Sequence, residues 1–273
     1  MAGPSQPDPR PESETVAYDV VDTAYWWDEP TGRNHTANNS NDTTWRHCLA
    51  AYVTPADSRG YRLTGFQLGA GRGNKCIDCT AVGVQGLKDS SGYMWPEEVN
   101  DNVGGTTWEF RDCVAHNNVA NGIFTWQNDD GEHPVDHFVA YRNGGSGIDH
   151  GAYVNRYRYA DLVLQENGLH AVESHAVGRG ANVEWLRVNS DGTLLIPKHS
   201  LEGSPVIYRN CTFTKVIVDQ RMDSGNTPSR QIFEDCNVTP DSFDMRSTAN
   251  GTRITINEGG RARWEWSGNW RTL

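Results

Sequence analysis

Apolar and polar residues alternate in short runs along most of this chain, and the runs are broken by Asn, Asp or Gly. Four segments share one frame: a short apolar strand, a turn with Asn or Asp, a Gly, and a second short strand. They are FRDCVAHNNVANGIFTW from Phe110, DHFVAYRNGGSGIDHGAY from Asp136, YADLVLQENGLHAVESHA from Tyr159 and VEWLRVNSDGTLLIPKH from Val183. Their glycines, Gly122, Gly147, Gly168 and Gly192, fall at steps of 25, 21 and 24. Two further copies, IYRNCTFTKVIVD from Ile207 and IFEDCNVTPDSFDM from Ile232, drop the Gly but keep Asn210-Cys211 and Asp235-Cys236 25 apart. Upstream, Asp78-Cys79 and Asp112-Cys113 lie 34 apart, one repeat plus an excursion through Leu87 to Gly105. A unit this short cannot bury its apolar face alone, so the repeat predicts strands stacked copy upon copy. A helical period is not competitive in this region, and the dense Leu signature of a leucine-rich repeat is missing.

With this texture the chain resembles the right-handed parallel β-helix proteins of the pectate-lyase-like superfold, from about Val16 to Trp266. The resemblance implies an all-β fold, a right-handed parallel β-helix built as a solenoid of roughly nine or ten coils. At a strand spacing of about 4.8 Å that is a rod about 45 to 50 Å long. Residues 1–15, with four prolines and no apolar periodicity, are expected to be a disordered tail, leaving 16–273 as a single domain. Solenoid ends expose strand edges. Arg261 to Leu273, with Trp264, Trp266 and Trp270, is the expected C-terminal cap; at the other end Trp26-Trp27, a partner or a neighbouring chain has to serve. Stacking also predicts that Cys79 lies near Cys113, and Cys211 near Cys236, as interior thiols. Six Cys in 273 residues are too sparse for a disulfide framework, and Cys76-Ile-Asp-Cys79 lacks the second pair a zinc site requires.

Composition narrows the function classes. The longest apolar run, Cys48 to Val53, is six residues, too short for a membrane span. A net charge of −11 with no Lys/Arg cluster offers nothing to release counterions from a duplex, so no nucleic acid partner is expected. Gly and Pro, 28 and 12 residues, supply turn chemistry for every copy. The N-terminal segment lacks the basic and apolar regions of a signal peptide, yet the expected setting is extracellular or surface-exposed.

Candidate chemistry comes from aligning the second strand of each repeat. His150, His175 and His199 then fall in one column at steps of 25 and 24, flanked by Thr125 and Asp223. Asp149, Glu173, Lys198 and Arg221 accompany them. Such a column is either a structural ladder or a binding cleft. As a cleft, Lys198 and Arg221 would pair with a uronate carboxylate while His150 or His175 moves a proton. Tyr153 is the candidate partner acid, Trp126 a stacking platform for a sugar ring, and Asp149, Arg156, Arg158, Glu173, His199 and Asp223 the remaining substrate contacts.

Short motifs add partial resemblances. Gly147-Ile148-Asp149-His150 is similar to the Trp-Ile-Asp-His stretch of calcium-dependent pectate lyases, although their Arg-x-Pro-x-x-Arg pattern is absent. Asp149-His150 with Tyr153 resembles the Asp-Pro-His site of mannuronan epimerases. Asn128-Asp129-Asp130 with His150-Gly151 resembles polygalacturonases, which hydrolyse with inversion. Asp129, Asp130, Glu132 and Asp136 form an oxygen-rich loop that Ca2+ could use, without EF-hand spacing. The expected function is binding and cleavage of an acidic polysaccharide. β-Elimination is favoured over hydrolysis because His, Tyr, Lys and Arg outnumber paired carboxylates, and C5-epimerisation is an alternative. The rival is a non-enzymatic virion, tail-spike or cell-surface glycan-binding protein, assembled as a homotrimer or capped by a neighbouring chain.

Overall fold

A computed structural model of the chain describes residues 12–21, 23–26, 42–55, 63–67, 73–87, 89–94, 107–125, 132–151, 156–177, 182–200, 205–219, 230–248 and 251–267. Among these, strands form one sheet of 16 and another of nine, and every pairing is parallel except the last. The fold is all-β with long parallel sheets, an arrangement compatible with a parallel β-helix. The larger sheet consists of two rows. The first runs from Thr44–Arg46 through Asn74–Ile77, Trp108–Arg111 and Glu132–Asp136 to Arg253–Glu258. The second runs from Val16–Val21 through Leu49–Thr54, Thr80–Val82, Val114–His116 and Val139–Tyr141. The long strands Arg156–Gln165 and Asn182–Ser190 belong to both rows and join them. The nine-stranded sheet is a third row, and Ile148–His150, Val172–Val177 and Thr193–Ser200 lie in its middle.

The recurring Asp and Asn mark a corner. Glu14, His47, Asp78, Asp112, His137, Asp161, Arg187, Asn210 and Asp235 stack between the first two rows with φ between 52° and 62°. This left-handed conformation is one that Asp and Asn tolerate better than other residues with a Cβ. It turns the chain through one residue while the interlayer hydrogen bonds continue, as from the Asp78 amide to the Arg111 carbonyl at 3.0 Å. A second corner, between rows two and three, carries an asparagine ladder. Asn118 Nδ2 donates to Asn143 Oδ1 at 2.8 Å, and Asn143 Nδ2 to Asn167 Oδ1 at 3.0 Å, so buried amides satisfy one another from layer to layer.

The interior is sorted by size. Ala50, Ala81, Ala115 and Ala140 form a column in row two, and Gly65, Gly92 and Gly122 of row three pack against it. A Cβ on Gly122 would come within 2.4 Å of the Gly147 carbonyl oxygen and 2.9 Å of the Ala140 Cβ. Gly168 does not belong to this column, contrary to the spacing expectation. Its amide bonds the Asn143 carbonyl and its Cα sits over Gly144, one corner earlier, which accounts for the short step of 21. Aromatic rings fill the wider part, with Tyr159, Trp185, Tyr208 and Phe233 stacked in sequence. The cysteines are free, and Cys48, Cys76, Cys79, Cys113 and Cys211 are buried, as interior apolar thiols should be. The Cys211 amide lies 3.4 Å from Cys236 Sγ on the next layer.

Two boundaries move. Glu12–Ser13 pairs with Trp45 and Arg46, so pairing begins inside the segment expected to be a tail. The supposed excursion contains Ser91–Met94, a regular strand of the third row. At the C-terminal end Arg261–Ser267 runs antiparallel to Arg253–Glu258, and Trp264 and Trp266 pack on the core. That reversal stops further parallel addition along this row, the work expected of the cap; Trp270 lies outside the described residues. No helix among the described residues is long and apolar enough to cross a membrane.

The outward positions of rows one and two differ in kind. Row one carries Lys75, Glu109, Arg158 and Glu184 in one outward column, and Arg46, Arg111, Asp136, Arg209 and Glu234 in the next. Row two carries Val16, Leu49, Thr80, Val114, Val139, Val163 and Asn189, then Tyr18, Ala51, Val82, His116, Tyr141 and Gln165, with no Asp, Glu, Lys or Arg among them.

Candidate active site

Row three decides the fate of the histidine column. Phe124, Asp149, Glu173 and Leu195 are partners in register and face outward; Thr125, His150 and Ser174 form the adjacent inward column. His175 pairs with Lys198, and Ala176 with His199, after a register shift between Glu173 and His175. The three imidazoles therefore do not stack. The layer step from Asp149 to Glu173 is 24, and taking 25 instead slips the alignment by one residue, which exchanges inner for outer faces.

His150 consequently lies inside the layers, fully buried, with Nδ1 2.8 Å from the Tyr159 hydroxyl and 3.3 Å from Thr125 Oγ1. Its ring meets Tyr157 edge-on at 4.6 Å. From there it cannot touch a polymer lying on the outer surface, so the catalytic role expected of it is withdrawn. Trp126, Tyr153, Arg221 and Asp223 lie outside the described residues, as do Asn128, Asp129 and Asp130; of Lys198 and His199 only the backbone is described. Arg156 and Arg158 belong to row one, where with Glu132 and Glu184 they line a groove of about 360 Å3, apart from the row-three column. Arg158 lies 3.6 Å from Asp136. Glu132 and Asp136, the described part of the proposed calcium loop, are the two ends of a row-one strand.

Three predicted residues do come together, in a way the histidine alignment missed. His175 Nε2 lies 2.7 Å from Glu173 Oε1 and 3.8 Å from Asp149 Oδ1. All three side chains are mostly buried, at 11 to 22% exposure, while facing the outer side of the row. Asp149 Oδ1 is buried without a hydrogen-bond partner. Burial, the Glu173 charge one layer away and Asp89 together hold the Asp149 carboxyl well above the usual carboxylate range. Burial raises Glu173 as well, but the His175 hydrogen bond and the charges of His175 and His170 outweigh it and leave this carboxyl below its ordinary value. The two stacked carboxyls thus differ in proton affinity, Asp149 holding its proton more tightly than Glu173.

The same three residues each present an atom within 4.8 Å of the others, close enough for one cation to span. A second such group, Asp136, His137 and Asp161, is already engaged: Arg187 grips both Asp161 oxygens at 2.6 Å. The signal that could have found the trio is the step of 24 applied to the Asp149-Glu173 pair. No family model matches this chain, and no curated protein matches it.

Proposed function

We propose that the chain is a right-handed parallel β-helix protein of the pectate-lyase-like kind, and that it binds and cleaves a polysaccharide at Asp149, Glu173 and His175. The observation carrying this reading is the pair of stacked carboxyls whose surroundings push their proton affinities apart, an arrangement suited to a general acid beside a nucleophile or base. Asp149 gives its proton to the glycosidic oxygen as the C1–O bond breaks, and the Glu173 carboxylate, aligned by His175, bonds to C1. Water then releases the sugar and returns the proton through Asp149. One oxygen of each carboxyl lies within 4.8 Å of the other, nearer than the about 6.5 to 9.5 Å that separates the carboxyls of inverting enzymes, so retention is expected. Hydrolysis therefore moves ahead of β-elimination. The lyase reading keeps one support, the backbone register of His175 with Lys198, which puts a His and a Lys position on neighbouring strands.

A panel of neutral and acidic polysaccharides tests this, with reducing ends and absorbance at about 235 nm as the two readouts. New reducing ends without absorbance, lost in Asp149→Asn and in Glu173→Gln, support hydrolysis at this site. Rising absorbance transfers the assignment to the lyase. If no polymer is cleaved but one is bound, the non-enzymatic glycan-binding reading takes its place.

A further inference from the structure

One of the six cysteines stands apart from the others. Cys48, Cys76, Cys79, Cys113 and Cys211 are buried, whereas Cys236 is partly exposed and borders a cavity of about 540 Å3 toward the C-terminal end. Val238, Pro240, Ile256, Arg263 and Trp264 line the same space. Cys211 lies one layer before Cys236. Arg209 pairs with Glu234, and Thr212 with Asn237, so the cysteines between them stack with Cα atoms about one strand spacing, roughly 4.8 Å, apart. A disulfide spans Cα separations of about 4.4 to 6.8 Å. The two side chains also point the same way. Cys211 Sγ lies 3.3 Å from the Arg209 carbonyl oxygen and 3.4 Å from that of Trp185, and Cys236 Sγ repeats this with Glu234 at 3.4 Å and Tyr208 at 3.3 Å. The Cys211 amide donates to Cys236 Sγ at 3.4 Å. A hydrogen bond from the Cys211 thiol holds the Cys236 thiol below its ordinary value against the effect of burial, and pushes Cys211 up in exchange. A thiol that is accessible, favours its thiolate and has a second thiol beside it is the kind that oxidises selectively.

We propose that Cys236 is an oxidation site for a small peroxide entering the cavity, and that Cys211 resolves it, joining the Val206–Arg209 and Arg230–Glu234 layers by a reversible disulfide. The Cys236 sulfur attacks one oxygen of hydrogen peroxide, the O–O bond breaks, and the departing hydroxide leaves as water with the thiol proton. Cys236 is then a sulfenic acid. The Cys211 sulfur attacks the sulfenic sulfur, the S–O bond breaks, and the hydroxyl departs as a second water with the Cys211 proton. Two thiols lose two electrons and one peroxide gains them. Cys79 and Cys113 also belong to successive layers, but both are exposed by 1% or less, so the oxidant does not reach them in the folded chain. The new bond closes the chain between Cys211 and Cys236 into a loop, which costs the unfolded state entropy and makes the C-terminal layers harder to open.

Treating the folded, reduced full chain with hydrogen peroxide, quenching, and counting thiols in denaturant tests the proposal. The count should fall from six to four, with a Cys211–Cys236 peptide found by mass spectrometry after digestion without reductant, and dithiothreitol should restore six. The oxidised chain should melt roughly 5 °C higher than the reduced one. In Cys211→Ala, whose fold is checked by circular dichroism, peroxide should leave a sulfenic acid at Cys236 that dimedone labels; in Cys236→Ser the remaining thiols should survive. A count that stays at six overturns the proposal, as does a loss of thiols without the Cys211–Cys236 peptide or a disulfide between Cys79 and Cys113. Dimedone labelling of Cys211 in Cys236→Ser reverses the two roles and overturns the assignment. A bond that forms without raising Tm overturns its action as a staple.

Discussion

Row one and the Asp149–Glu173 pair of row three place carboxylates in the same kind of position, outward on adjacent parallel strands, and treat them in opposite ways; farther along row three, Asp244 meets Lys215 at 2.8 Å. On row one four acids meet bases: Lys75 Nζ lies 3.0 Å from Glu109, Arg158 lies 3.6 Å from Asp136, and Arg209 sits between Glu184 at 3.4 Å and Glu234 at 2.5 Å. Opposite charges on neighbouring strands stabilise a sheet modestly, and like charges there destabilise it. Row three stacks Asp149 directly on Glu173. The difference teaches that this chain has a working way to neutralise a carboxylate ladder and does not use it at the pair. A cost retained at one place, beside an imidazole at 2.7 Å, is what a functional site looks like when its groups have perturbed proton affinities.

The largest effect that should separate the two rows is on activity. Removing either carboxyl of the row-three pair should reduce kcat/KM by roughly 10^2 to 10^4, the range for loss of a positioned acid or base. Removing the Glu109 carboxyl on row one by Glu109→Gln should leave it within about twofold, because an acid paired for structure touches no substrate. The pH profile sharpens this. Activity should rise as Glu173 ionises, below the ordinary Glu range, and fall as Asp149 loses its proton, well above the ordinary Asp range. Asp149→Asn should abolish the alkaline limb along with most of the rate.

Stability should change in opposite directions at the two members of the pair. The native state holds a proton on Asp149 more tightly than the unfolded chain does, so this group's contribution falls as pH rises above the unfolded carboxyl range toward the raised native value. Asp149→Asn should therefore stabilise the protein at pH 7 by on the order of 1 kcal/mol, with the gain vanishing in acid. Glu173 is lowered in the native state, so its contribution is present above the unfolded value and is lost as pH falls through the native one. Glu173→Gln should destabilise at pH 7 by about 1 kcal/mol, again less in acid. Thermal melts of both variants across pH check the signs, and equal signs at pH 7 would remove the protonation asymmetry on which the mechanism depends.

Much of the layering is legible in the sequence alone, and the departures from it have one cause. Asp78, Asp112, Asn210 and Asp235 reported their corner because the left-handed backbone there favours short polar side chains, a local requirement visible in one residue. Gly122 and Gly147 reported theirs because a Cβ would meet a carbonyl oxygen at 2.4 and 2.7 Å. Gly168 misled because a second corner also selects glycine, against Gly144. The histidines misled for a related reason. In a strand the inner and outer faces alternate at every residue, so an error of one in register moves His150 from the core to the surface on paper. Register is set by interlayer hydrogen bonds and by the irregularity between Glu173 and His175, neither of which leaves a mark in residue type. The carboxyl pair was present in the residue list but dispersed among substrate contacts, since its meaning lies in Asp149 stacking on Glu173.

The smallest expected effect is also the most direct conversion of one row into the other. Lys75→Glu would put a second carboxylate beside Glu109, reproducing on row one the like-charge stacking of row three without its imidazole. Lys75 is 40% exposed and Glu109 18%, so solvent screens the repulsion in part, at the Lys75 position, and the loss should be about 0.5 to 1 kcal/mol. In a domain this size that lowers Tm by roughly 1 to 3 °C, and added salt should recover part of it. The double variant Lys75→Glu with Glu109→Lys restores the opposite pair and should restore Tm. If Lys75→Glu costs nothing at low salt, this chain tolerates stacked carboxylates freely, and the juxtaposition of Asp149 with Glu173 loses its force as a sign of function.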